Sequence, residues 1–129
     1  VRDGISLTTV VKDWGYTGKN DFRKIEFILA FKGNIVGMAD MYYYLDDEPD
    51  KVVLSSLWIL GKQRGKGYGE YLQKEREKYA IQTLKRNHIF LFVVRGTWMY
   101  QWYKRRGYKF YKRMKDGNSN SWLHKTIDN

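Results

Sequence analysis

The stretch Leu60–Glu70, LGKQRGKGYGE, constrains this chain more than any other part of it. Four glycines and three cationic side chains lie between an apolar run and a segment of helical spacing. Glycine lets backbone N–H groups approach a ligand with no Cβ in the way, and it visits positive φ freely. A helix that starts at the end of such a loop presents first-turn N–H groups that lack intrahelical partners. Together with the helix dipole they make a site for phosphate. The loop therefore reads as a cradle for a phosphorylated cofactor, set between a strand and a helix.

The flanks supply both elements. Val52–Leu60 (VVLSSLWIL) is a near-continuous apolar run, as a strand buried on both faces would show. From Gly67 to about Arg86, Tyr68, Leu72, Tyr79, Ala80 and Leu84 recur at helical spacing, and Asn87 is a reasonable stop. Upstream, Ile5–Val11 is a short β-like run. Lys24–Lys32 and Ile35–Leu45 are rich in β-formers and flank a Gly33-Asn34 hairpin signal. Asp46–Asp50 is an acidic loop containing the single proline, Pro49. Downstream, His88–Val94 is another strand candidate. Thr97 is positioned to cap a short helix over Trp98–Arg106, closed by Gly107. Tyr108–Met114 and Ser121–Ile127 flank a second turn signal, Asp116-Gly117-Asn118. The pattern predicts an α/β (α+β) fold, a mixed and mostly antiparallel sheet with flanking helices. No repeat, linker or low-complexity run divides it, so residues 1–129 are expected to form one domain.

The absence of cysteine removes any disulfide framework, thiolate nucleophile or Cys-based metal site. His88 and His124 have no metal-ligand spacing and read as structural, so no metal is expected. No segment resembles a signal peptide or is long enough to cross a bilayer, so the expectation is a cytoplasmic protein with no membrane partner. The net charge of +10 is unevenly placed. Residues 1–59 carry 7 Lys/Arg against 9 Asp/Glu, while residues 60–115 carry 16 against 3. The positive field thus belongs to the glycine loop and the segment downstream of it. It suits any polyanion, and a multiply phosphorylated cofactor explains part of it because the glycines sit in the same place.

Arg64-Gly65-Lys66-Gly67-Tyr68-Gly69 fits the Arg/Gln-x-x-Gly-x-Gly/Ala motif of the GNAT superfamily of acetyl-CoA-dependent N-acetyltransferases. Further on, Trp102-Tyr103-Lys104-Arg105-Arg106-Gly107-Tyr108 resembles the family's Phe-Tyr-x-x-x-Gly-Phe segment. The resemblance runs from about Ile25 to the C-terminus. Two departures stand out. The family usually carries two helices between its first and second strands, walling the acceptor site, where this chain has only Lys12–Arg23. Its short helix is commonly preceded by Asn, where Gly96 stands here. A Walker loop is excluded by the lack of Gly-Lys-Ser/Thr. The glycine spacing also differs from a dinucleotide fingerprint.

The resemblance implies acetyl-CoA as cosubstrate. Arg64, Gly65, Lys66, Gly67, Tyr68 and Gly69 would wrap its pyrophosphate, and the backbone of Ile59 and Leu60 would pair with the pantetheine arm. Lys62 and Lys66 are further candidates for phosphate contact. Tyr103 would reach the cofactor sulfur and donate a hydrogen bond or proton to the departing thiolate. The acceptor is then a primary amine, on a protein or a small molecule, attacking directly in a ternary complex. It must lose a proton, for which Asp40 is the candidate base, with Glu26 and the acidic loop behind it. Ser55 and Ser56 read as locally bonded strand residues.

Two alternatives stay open. Arg95–Lys115 holds eight Lys/Arg, no acid and seven aromatic residues. Such interleaving suits a module that keeps the fold and binds nucleic acid or a protein. Transfer of a longer acyl group is the other.

Overall fold

The computed structural model describes residues 3–14, 21–113 and 120–128. Among them seven strands form one sheet: β1 (Ile5–Trp14), β2 (Phe22–Phe31), β3 (Asn34–Tyr44), β4 (Lys51–Ile59), β5 (His88–Val94), β6 (Lys109–Arg113) and β7 (Asn120–Thr126). The helices are α1 (Tyr68–Gln82) and α2 (Trp98–Arg105), with a short 3₁₀ turn at Gly61–Gln63. Across the sheet the order is β1-β2-β3-β4-β5-β7-β6. Each neighbouring pair is antiparallel except β4 and β5. Among the described residues four strands precede the first helix, and the fold is the mixed, mostly antiparallel sheet with helices that the pattern predicts.

The core follows from alternation. Ile25, Phe27 and Leu29 of β2, Ala39, Met41 and Tyr43 of β3, and Ile89 and Leu91 of β5 are buried. They form one cluster with Tyr68, Leu72 and Ala80 of α1. At about 25 cal/mol per Å² of apolar surface, this continuous cluster is the main stabilising term. Thr97 caps α2 as expected. Its Oγ1 accepts from Tyr100 N at 3.4 Å and donates to the Val94 carbonyl at 2.8 Å, and Gly107 closes the helix at φ 94°.

Three local expectations need correction. The first hairpin turns at Lys32 (φ 51°) and Gly33 (φ 84°), one residue early, and Asn34 already pairs with Phe31. Two left-handed central residues match the strand twist, which a turn on Gly33-Asn34 would put out of register. Helix α1 ends at Gln82 rather than near Asn87. Lys85 turns left-handed (φ 58°) and Arg86 N donates back to the Ala80 carbonyl at 2.8 Å, satisfying the helix end. The Asp116-Gly117-Asn118 signal lies outside the described residues.

The third correction creates the site. Strand β4 is buried only over Val52, Val53 and Leu54; from Ser55 onward it is exposed or half-buried. It meets β5 at three pairs only, Lys51↔His88, Val52↔Ile89 and Val53↔Phe90. Beyond these β4 stays with β3 as far as Ile59, and β5 stays with β7 as far as Val94. The two parallel strands splay and leave a wedge between them.

Candidate active site

The wedge opens into a cavity of about 620 Å³. Leu57, Trp58 and Ile59 of β4 form one wall, the glycine loop (all but Lys66 from Gln63 on) and the first turn of α1 form the end, and Met99, Trp102 and Arg106 close the other side. That volume lies in the range of small-molecule and cofactor pockets. Gly65 (φ 80°) and Gly67 (φ 84°) hold the loop in left-handed turns that a side chain would strain, and space beside both is open. Among the described residues, the N–H groups of residues 65–70 have no hydrogen-bond partner. They belong to the loop and the first turn of α1, and unpartnered N–H groups at such a place suit a phosphate. Arg64 Nε donates to the Ile59 carbonyl at 3.3 Å, fastening the loop to the strand.

Of the residues expected at the cofactor, Ile59, Arg64, Gly65, Gly67, Tyr68 and Gly69 line this cavity. Leu60 and Lys66 do not. Leu60 N donates to the Val36 carbonyl at 2.8 Å, and Lys66 Nζ donates to Gln63 Oε1 at 2.9 Å. Glu70 and Arg106 form an ion pair within the wall, and the Arg106 guanidinium lies 3.6 Å from the Trp102 ring centre. Hydrogen bonding from Arg106 holds the Glu70 carboxyl below its ordinary range. At Gly96 the chain turns at φ 82°, and that requirement explains the glycine there.

Tyr103 is 3% exposed and stands behind the wall that its neighbour Trp102 forms. Its hydroxyl accepts from Arg76 Nη2 at 2.9 Å. A guanidinium only donates, so the tyrosine keeps its own proton to give. Arg76 and Gln73 are the residues that periodicity misses, since both are buried on α1 as polar side chains. The available signal was a cation four residues after Leu72 and four before Ala80, on the apolar stripe itself. Gln73 Nε2 donates to Tyr108 Oη at 2.9 Å, and Tyr108 Oη donates to Glu77 Oε2 at 2.8 Å. Burial, then the Glu77 charge and hydrogen bond, push the Tyr108 hydroxyl far above its ordinary value.

Asp40 sits where β4 bulges against β3, between the pairs Ala39↔Leu57 and Met41↔Leu54. Its Oδ1 accepts from Ser55 Oγ, and from Ser56 N at 2.7 Å, while Oδ2 lies 3.3 Å from Lys24 Nζ. Glu26 is paired with Lys12 at 2.8 Å. Ser55 is thus bonded locally, as expected, yet it is exposed at the start of the wedge. Asp47 of the acidic loop pairs with Lys51 at 3.2 Å. His88 Nε2 and His124 Nδ1 are 2.9 Å apart on β5 and β7, a diagonal pair that sequence spacing does not reveal. Burial, then His88 and Lys109, lower the His124 pKa. Among the described residues no group of three His, Cys, Asp or Glu side chains could hold a metal. No helix among them is long and apolar enough to cross a membrane.

Comparison with known proteins agrees with this architecture. A sequence profile described as the Acetyltransferase (GNAT) family matches residues 6–108. Among curated proteins, none matches the sequence significantly. Several solved structures share the fold. The Campylobacter jejuni N-acetyltransferase PseH in complex with acetyl coenzyme A superposes with a TM-score of 0.63 at 19% identity, covering 81% of this chain and 69% of its own. The PaiA N-acetyltransferase of Thermoplasma acidophilum in complex with coenzyme A gives 0.67 at 19%, covering 81% and 61%. N-acetylglutamate synthase of Neisseria gonorrhoeae, complexed with coenzyme A and N-acetyl-glutamate, gives 0.68 at 17%, covering 81% and 26%.

Proposed function

This chain belongs to the GNAT acetyltransferase family, an acetyl-CoA-dependent N-acyltransferase family, and from that premise we propose that it moves an acetyl group from acetyl-CoA to a primary amine at the β4–β5 wedge. The supporting observation is one cavity lined by splayed β4, a left-handed glycine loop and unpartnered N–H groups at residues 65–70. The pyrophosphate takes those N–H groups, with Arg64 and Lys66 adding charge. The arm runs along the β4 edge from Leu57 to Ile59, which β5 leaves unpaired, and stops short of Leu60, whose N–H is taken by the Val36 carbonyl. One domain spanning the chain does this work, consistent with its continuous core.

The chemistry is one displacement. The amine nitrogen attacks the thioester carbonyl carbon, an N–C bond forms, and the C–S bond breaks with its electron pair on sulfur. Tyr103 gives its proton to that thiolate. The nitrogen sheds its extra proton to Ser55 Oγ, which passes its own to Asp40, so Asp40 is the final base through the serine bonded to it. Only seven residues separate β1 from β2, too few for the two helices that usually wall the acceptor site in this family, and that shortness favours a protein lysine or N-terminus over a small amine. Incubation with acetyl-CoA and both acceptor classes, read by mass spectrometry for the gain of one acetyl group, tests this. Transfer confined to small amines defeats the protein acceptor, and no transfer with no rise in melting temperature on adding CoA defeats the whole reading.

A second reading has one observation in its favour. All five residues of β6, KFYKR, are exposed, and the Arg95 guanidinium lies 5.7 Å from the Phe110 ring centre. A catalytically weak module would use this cationic, aromatic edge for nucleic acid or a protein partner. Salt-dependent oligonucleotide binding that survives saturating CoA supports it, and competition by CoA removes it.

A further inference from the structure

Arg76 is the one fully buried cation of the described core, at 0% exposure. It has no carboxylate partner among the ion pairs of the described residues, and its Nε has no hydrogen-bond partner. A buried guanidinium without a counter-ion is costly to take out of water, and only its hydrogen bonds offset that cost. Packing therefore does not explain it. Its bonds point instead to both sides of the wedge. Nη1 donates to the Asp40 carbonyl at 3.0 Å and to the Ser56 carbonyl at 3.2 Å, at the β3–β4 bulge. Nη2 donates to Tyr103 Oη on α2 at 2.9 Å and to Gln73 Oε1 at 2.5 Å.

We propose that Arg76 is a positioning residue for acetyl transfer, a buried fork that fixes the Tyr103 hydroxyl against the β4 bulge and holds the charge formed on that hydroxyl. The inference rests on the acid role of Tyr103 proposed above. Arg76 has no lone pair to offer, so its bond occupies an acceptor site on Tyr103 and leaves the tyrosine proton directed elsewhere. When the C–S bond breaks, the thiolate takes that proton and Tyr103 becomes a phenolate. The guanidinium 2.9 Å away is then its counter-ion. The phenolate regains a proton from water as CoA leaves, so no further reactant is needed. Fixed donors aimed at developing charge act without reorganisation, which is why a preset guanidinium helps here. Gln73 completes the clamp by accepting from Nη2 and donating to Tyr108.

A double-mutant cycle on the whole chain tests this with Arg76→Met, Tyr103→Phe and the double variant. Arg76→Met should lower the melting temperature, because the Asp40 and Ser56 carbonyls and Gln73 Oε1 lose their donor, yet keep the acetyl-CoA affinity of the folded protein within about twofold while kcat falls by roughly tenfold or more. In the Tyr103→Phe background it should change kcat by less than about twofold, because its target is gone. Losses that multiply across the two sites, or a fall in acetyl-CoA affinity that accounts for the lost rate, overturn the inference. If Tyr103→Phe alone leaves kcat unchanged, the acid role itself falls and this inference falls with it. If Tyr103→Phe lowers kcat and Arg76→Met does not, only the inference falls. Arg76→Lys keeps the charge but loses the planar fork. It runs through the same cycle if the methionine variant does not fold, and must show the same dependence on Tyr103.

Discussion

The two ends of the cleft are held by opposite means. At the glycine loop, backbone N–H groups stand without partners and open space adjoins Gly65 and Gly67. Behind the inner wall, Arg76, Gln73, Tyr103 and Tyr108 are buried and joined side chain to side chain, with half-buried Glu77 at the end of the chain. The first end is shaped by backbone and ready for an anion. The second is bonded within itself and to the β3–β4 bulge, and only Arg76 Nε and the Tyr103 proton are left over. In the reading proposed above, a ligand gains affinity at the end that is unsatisfied and meets fixed chemistry at the end that is not. Perturbing each end should therefore change different measurements.

The largest effect should come from Gly67→Val. A β-branched residue at φ 84° costs about 1–2 kcal/mol. It also turns away N–H groups that each contribute about 1.5–3 kcal/mol to a charged ligand. Together these predict a rise in the CoA dissociation constant on the order of a hundredfold, by calorimetry. Gly33→Val is the control. It bears the same strain at φ 84° in the β2–β3 turn, away from the cavity, so it should lose stability and keep CoA affinity. Equal loss of CoA binding in both variants would mean that strain alone is responsible and would erase the contrast between the two ends.

This contrast also explains what could be read from the sequence. The turns of the loop are legible because left-handed backbone at Gly65 and Gly67 shows as glycine spacing, and Thr97 and Gly107 are legible because caps are local. Strand β5 and helix α2 appeared with their expected bounds to within a residue. The end of β4 was misread as doubly buried, because Ser55 to Ile59 lose a neighbour only through the splay, a relation between distant strands. Arg76 escaped because periodicity treats a cation as solvated. Its partners Asp40, Ser56 and Tyr103 lie 20 to 36 residues away. The His88–His124 pair is hidden for the same reason, since the β5–β7 register makes it.

Gly37→Ala should have an intermediate effect on both ends at once. A Cβ there would stand 2.6 Å from Ile59 Cδ1 and 3.0 Å from the Trp58 carbonyl oxygen. The Ile59 methyl can move, but the carbonyl belongs to the β4 backbone. The overpacking should cost about 1–3 kcal/mol in denaturant unfolding. Because Trp58 and Ile59 form the cavity wall, CoA affinity should fall with it. Full stability together with unchanged affinity would show that β4 has more freedom at the wedge than its pairing with β3 suggests.

The smallest effect tests the join between the ends. Glu70 stands in the first turn of α1 beside the glycine loop, and its partner Arg106 rests on Trp102 beside Tyr103. Arg106 lowers the Glu70 pKa in the folded protein. A carboxyl lowered on folding contributes stability that is present above its ordinary value of about 4.3 and is lost as pH falls through the lowered one. The pair is partly exposed, so the contribution should stay below about 1 kcal/mol. Glu70→Gln should therefore melt slightly below the parent at pH 7, and the gap should close under acid as the parent loses its carboxylate. A gap that persists unchanged down to the lowest pH at which the fold survives would assign the effect to packing of Arg106 on Trp102 instead of charge. The loop and the buried network would then be joined through stacking alone.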